Sequence, residues 1–161
     1  MKLSTKGRYA VMAMADLAQR QMSGCECGPV CLAEIAERQQ LSLAYLEQLF
    51  AKLRKAGLVA SARGPGGGYR LAQAAEGICV ASIVAAVDEP IKATRCEAGS
   101  GGCLQGSAGG EACLTHDLWA ELGTQIDFFL RGISLADIVS GRVRGRAVAL
   151  TAAVDMALAA E

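Results

Sequence analysis

Four residues in the second half of the chain have the types and spacing to hold a metal. Cys96, Cys103, Cys113 and His116 are arranged Cys-x6-Cys-x9-Cys-x2-His, and His116 is the only histidine in the sequence. Three thiolates and one imidazole supply a full set of four ligands. Between Arg95 and Gly110 lie six glycines and two cysteines with almost no large apolar residue. Such a loop cannot pack itself, and a bound metal would supply the core it lacks. Its glycines also let backbone N–H groups approach sulfur, which stabilises an anionic metal–thiolate centre. Cys113 and His116 stand three apart at the start of a helical pattern, so both can face one point. Three Cys and one His make a common tetrahedral zinc set, although zinc sites usually bring their cysteines in Cys-x2-Cys pairs, which are absent. The same donors suit a [2Fe–2S] cluster, whose potential a neutral His should raise relative to all-Cys ligation. Spacing alone leaves zinc, the cluster and an empty loop all open.

Other chemistry finds little support. Cys25, Cys27 and Cys31 crowd a loop, but Cys-x-Cys-x3-Cys is not a common ligand spacing and no His lies nearby. Asp16, Glu34, Glu37 and Glu47 read as polar helix faces, and no Ser–His or Cys–His pair sits beside an evident pocket, so no enzyme is expected. The glycines at 64–68 lead into a strand with no Gly-Lys-Ser/Thr, which fits neither common phosphate loop. Lys2, Lys6, Arg8 and Asp16 interrupt the N-terminus, which excludes a secretory pattern there. No stretch approaches the roughly 20 apolar residues of a membrane span. A cytoplasmic protein is expected, with its seven cysteines reduced or metal-bound.

The elements that would position these groups follow from periodicity. A first helix runs from about Ser4 to Gln21 with Ala10, Val11, Met14, Leu17 and Ala18 inward. A short helix over Cys31–Gln39 buries Leu32, Ile35 and Ala36. After a turn at Gln40-Leu41, Ser42 caps a helix whose Leu43, Leu46, Phe50 and Leu53 share one stripe. Gly57 closes it. Leu58–Ala62 and Tyr69–Ala72 then form a hairpin around Gly64-Pro-Gly-Gly-Gly68. Val80–Val87 is an apolar helical run. Leu114–Arg131 is a second long helix with Leu118, Leu122, Ile126, Phe129 and Leu130 on one face, and Ser134–Val139 adds a short one. The chain is mainly α, with a winged helix-turn-helix domain over 1–90 (helix-turn-helix about 32–55, wing about 58–72). A metal-binding loop and dimerisation helix fill 91–140, followed by a poorly ordered tail over 141–161.

Two short helices, a tight turn, an amphipathic helix with a basic outer face and a Gly-rich hairpin are what a DNA-binding winged helix-turn-helix requires. Although the net charge is zero, residues 1–75 carry +5 and residues 76–161 carry −5, a basic front on an acidic back. Candidate contacts are Ser42, Ala44, Tyr45, Glu47, Gln48 and Lys52 on the reading helix, and Arg63, Gly64, Pro65, Gly66 and Gly67 in the wing. Lys2, Lys6 and Arg8 would meet phosphates near the first helix start. Glu47 is a carboxylate on an otherwise basic face. Near a cytosine it can accept from the N4 amino group, but a guanine or thymine edge offers it only acceptors. Two-fold DNA sites favour dimers, so the apolar face of 114–131 is expected to meet a second copy rather than pack back on its own domain.

Four stretches also carry a resemblance: KGRYAV at Lys6–Val11, LSLAYLEQLFAKLRKAGLV at Leu41–Val59, RGPGGGY at Arg63–Tyr69, and ATRC with CLTHDLW at Ala93–Cys96 and Cys113–Trp119. Over about residues 1–140 the chain resembles the IscR-like iron–sulfur cluster regulators, a family of bacterial Rrf-type winged-helix transcription factors. The resemblance implies a homodimeric repressor or activator on double-stranded DNA, without a small-molecule substrate or membrane partner. It implies a [2Fe–2S] cluster on three Cys and a His, which map onto Cys96, Cys103, Cys113 and His116. It further implies control of iron–sulfur cluster assembly genes, the cluster altering which promoters are occupied. The intervals between the cysteines look longer than is usual in that family, and Ala44 stands where a Ser is expected. The alternative reading is a zinc-binding structural protein, or a cluster-carrying redox protein, on a helix-turn-helix scaffold.

Overall fold

A computed structural model describes residues 5–23, 28–87 and 115–143. Helix α1, Thr5–Met22, lays Ala10, Ala13, Met14, Leu17 and Ala18 into the core. Val11, expected among them, is only half-buried. Small residues on this face let neighbouring helices approach closely. Helix α2, Leu32–Gln39, buries Leu32, Ile35 and Ala36 as its spacing predicts. It stops at Gln40, which adopts the left-handed conformation (φ 52°, ψ 44°).

Helix α3, Leu43–Lys55, corrects the expected stripe. Its buried residues are Leu46, Leu49, Phe50 and Leu53, whereas Leu43 is 41% exposed. The whole first turn, Ser42–Ala44, stands clear of the core, so an apolar residue there has nothing to pack on. Ser42 occupies the N-cap position but makes no side-chain capping bond. The far end is closed as predicted. Gly57 (φ 74°) donates to Arg54 O at 3.0 Å and Leu58 to Leu53 O at 3.0 Å, the paired bonds of a Schellman cap.

Strands β1 (Val59–Ala62) and β2 (Gly68–Leu71) form an antiparallel two-stranded sheet with Val59 opposite Leu71 and Ala62 opposite Gly68. Val30 extends this sheet by one residue, exchanging both backbone bonds with Tyr69 at 2.8 Å. A 3-10 turn, Ala75–Gly77, leads into α4, Val80–Ala86.

After the undescribed stretch come α5, His116–Arg131, and α6, Leu135–Val139. Ser134 and Asp137 cap α6 reciprocally. Leu135 and Ala136, which the sequence places in a second unit, are buried in the same core as α1–α4. The backbone agrees, since Val80 donates to Ile133 O and Leu135 donates to Ile78 O, both at 2.9 Å. Phe129 and Leu130 of α5 pack on Val80, Val84 and Ile133. The N-terminal half of α5 is different: Leu118, Trp119 and Leu122 are exposed. Together these elements are a mainly helical winged helix-turn-helix fold. Lys2, Cys25, Cys27, residues 88–114 with Cys96, Cys103 and Cys113, and residues 144–161 lie outside the described residues.

Candidate DNA interface and cluster ligand

The helix-turn-helix presents α3 from a rigid base. Tyr45, in its first full turn, is half-buried and meets Tyr9 edge-on, with ring centroids 6.0 Å apart. That contact sets the start of α1, with exposed Lys6 and Arg8, beside the start of α3. Ser42, Ala44, Glu47 and Gln48 are exposed and Lys52 half-buried. Exposed donors and acceptors along one helix, flanked by cations, can meet base edges and phosphates together. Ala44 and Tyr45 contribute differently. Ala44 offers only a methyl group, and the Tyr45 ring is committed to α1.

The wing projects from the other end of α3. Arg63 and Pro65 are exposed on a turn in which Gly64 (φ 101°) and Gly66 (φ 75°) take left-handed conformations. Gly67 donates to Gly64 O at 2.9 Å. A Cβ at Gly67 would meet Ala62 O at 2.5 Å, so this glycine serves close approach rather than an unusual φ. Three contacts hold the wing down. Tyr69 pairs with Val30 and packs edge-on against Phe50 at 5.0 Å, and the Leu71 amide donates to Gln21 Oε1 at 3.1 Å. Gly68 sits so close to the Val30–Cys31 backbone that a Cβ would fall 2.3 Å from Val30 O.

Two groups of residues were not singled out by sequence reasoning. Gly68, Val30 and Gln21 anchor the wing, and the GPGGGY run was the available signal for the first of them. Asp16, on a polar helix face by its pattern, is instead 8% exposed and bound by Arg38 and Gln39. Its position three residues after buried Ala13 is where that could have been seen.

Of the four candidate metal ligands, His116 alone is described. It is half-buried in the first turn of α5, directly after the N-cap Thr115. Among the described residues no three His, Cys, Asp or Glu side chains converge on one point. Cys31 is an exposed free thiol and Cys79 a half-buried one. The donor set of His116 with Cys96, Cys103 and Cys113 fits an iron–sulfur cluster chemically, with three anionic sulfurs and one neutral nitrogen for the metal pair's four protein positions.

The family model of Rrf2, described as an iron-dependent transcriptional regulator, matches residues 3–141. The chain belongs to the Rrf2 family. This Rrf2 chain is 54% identical over 142 residues to the HTH-type transcriptional regulator IscR of Erwinia tasmaniensis, covering 88% of the chain and 81% of that relative. It is 55% identical over 139 residues to IscR of Aliivibrio salmonicida, covering 86% and 77%. Among solved structures, T. potens IscR superimposes with a TM-score of 0.68 at 40% identity, covering 91% of each chain. CymR, the global cysteine regulator of B. subtilis, gives 0.69 at 33% identity, covering 87% of this chain and 97% of CymR. The Rrf2 chain is therefore a DNA-binding transcriptional regulator, and its relatives are regulators rather than enzymes. No helix among its described residues is long and apolar enough to cross a membrane.

Proposed function

We propose that this Rrf2 regulator reads operator DNA as a cytoplasmic homodimer and carries a [2Fe–2S] cluster that decides which promoters it occupies, those of iron–sulfur cluster assembly genes among them. The observation that carries the DNA reading is α3, whose Ser42, Glu47 and Gln48 are exposed, with exposed Lys6 and Arg8 at the start of α1 that Tyr9 packs against Tyr45, and exposed Arg63 on the wing that follows. Lys2, Lys6, Arg8 and Lys52 supply phosphate contacts in this reading. Arg63 enters the minor groove or clamps a phosphate while Gly64, Pro65, Gly66 and Gly67 bring backbone close to DNA. Cys96, Cys103, Cys113 and His116 hold the cluster, which supplies one-electron redox chemistry and sensitivity to oxidants and iron supply. His116 opens α5, and α5 leads through Gly132 into α6, which packs on α1. A ligand on α5 is thus attached to the scaffold that presents α3.

The test is an anaerobic absorption spectrum with iron and sulfide analysis, followed by duplex titrations of cluster-loaded and cluster-free protein. We expect a visible chromophore that Cys103→Ala abolishes, and a changed duplex preference on cluster loss. Binding should also weaken with salt by a slope of about −0.9 per phosphate contacted. A colourless protein holding zinc would replace the cluster reading with the structural-metal one.

A further inference from the structure

Asp16 is the one buried charged side chain among the described residues. Arg38 approaches it as a fork, its Nε donating to Oδ2 at 3.0 Å and Oδ1 at 3.2 Å and its Nη2 donating to Oδ1 at 2.6 Å. Gln39 Nε2 donates to Oδ2 at 2.9 Å. Glu34 backs the fork at 3.5 Å from Arg38 and is itself held by Arg20 of α1 at 3.0 Å. Both carboxylate oxygens are therefore taken by the last two residues of α2. The chain then turns through left-handed Gln40 and enters α3 at Leu43.

A buried ion pair is weak as a source of stability, because well-packed apolar residues of similar volume often do as well. Its distinctive property is direction. Apolar contacts between α1 and α2 are non-directional and tolerate sliding, whereas a bidentate fork fixes both distance and angle. Here the fixed point lies at the turn that aims the reading helix. We propose that the Asp16 carboxylate is a positioning group for DNA recognition, clamping Arg38 and Gln39 so that α3 meets the groove at one angle. The inference rests on α3 being the reading helix.

The test uses the full-length protein at matched metal content and two probes: a duplex selected from random sequences by the unaltered protein, and a scrambled duplex. Asp16→Asn keeps the shape and removes the charge. Selected-duplex affinity should fall about tenfold or more, the equivalent of roughly one good base contact, at a temperature where circular dichroism shows complete folding. Scrambled-duplex affinity should change little. A purely electrostatic role predicts the opposite sign, since loss of a carboxylate strengthens binding to both duplexes. A purely structural role lowers Tm and leaves both affinities unchanged. Either outcome overturns the proposal. If Asp16→Asn does not fold, Arg38→Lys, which keeps the charge without the fork, must show the same selective loss. Gln48→Ala separates the two readings. No loss of selectivity with Gln48→Ala overturns the α3 reading, and the clamp with it; loss there but not with Asp16→Asn overturns the clamp alone.

Discussion

Asp16 shows how opposing forces are resolved at a single residue. Burial by itself disfavours its charge and would raise its pKa. Hydrogen bonds from Arg38 and Gln39, with the charges of Arg38 and Arg20, outweigh burial and hold the carboxyl below its ordinary 3.8. Arg38 responds in kind, its guanidinium held still more firmly protonated by the bond to Asp16. Because the folded carboxyl binds a proton less readily than the unfolded one, the unfolded chain takes up protons first as acid is added. The pair's contribution is therefore complete above 3.8 and lost as the pH falls from there through the folded value. Urea midpoints of the unaltered protein and Asp16→Asn should differ most near neutrality and converge in acid. A gap that stays constant down to the acid transition would show that folding does not lower the pKa of the Asp16 carboxyl. At neutral pH, Arg38→Ala should cost about 2–3 kcal/mol, because it strands a buried carboxylate with only Gln39 as donor.

At the scale of elements, the wing depends on a backbone contact that no side-chain pattern reveals. Gly68 lies against the Val30–Cys31 peptide, where a Cβ would fall 2.3 Å from a carbonyl oxygen that cannot swing aside. Gly68→Ala must push β2 away from Val30 and weaken both Val30–Tyr69 bonds. The expected loss is about 2–3 kcal/mol, with faster hydrogen exchange at the Tyr69 amide. Gly28→Ala is the control, because its Cβ meets nothing within 4 Å. It should change stability by less than about 0.5 kcal/mol. Equal effects at the two glycines would mean that the close approach does not hold the wing. The sequence revealed α3 and its hairpin because a helical period, a Gly57 cap and a Pro-Gly turn are local signals. Val30's pairing with Tyr69 joins residues far apart in the chain and leaves no local trace. Leu43 misled for the same reason, since its spacing is right and only the three-dimensional edge of the core leaves it exposed. The candidate ligands Cys96, Cys103, Cys113 and His116 rest on donor types in a glycine-rich stretch of sequence, and spacing does not choose between zinc and a cluster.

At the scale of the molecule, one long helix is only half covered by the other described residues. The C-terminal end of α5 is seated through Phe129 and Leu130. Its N-terminal half carries Leu118 at 62%, Trp119 at 44% and Leu122 at 37% exposure, and Phe128 stands out at 67%. Large apolar groups concentrated on one helix are unusual for an isolated protomer and mark an interaction surface. The proposed occupant is the same surface of a second copy, since a two-fold pair of helices buries both faces at once and sets two reading helices on related half-sites. Linking two modules in this way raises apparent DNA affinity about 10²–10⁴-fold without any new base contact. Leu118→Glu and Leu122→Glu together place two carboxylates in that face, and neither residue belongs to the buried core. The double variant should sediment as a monomer, retain its helical circular dichroism, and lose affinity for a duplex with two half-sites by that factor. Its affinity for a single half-site should stay close to that of the unaltered protein. If the double variant still sediments as a dimer, the α5 face is not the interface. If it is monomeric and loses affinity equally for both duplexes, the substitutions disturb the reading head itself rather than the pairing of two heads.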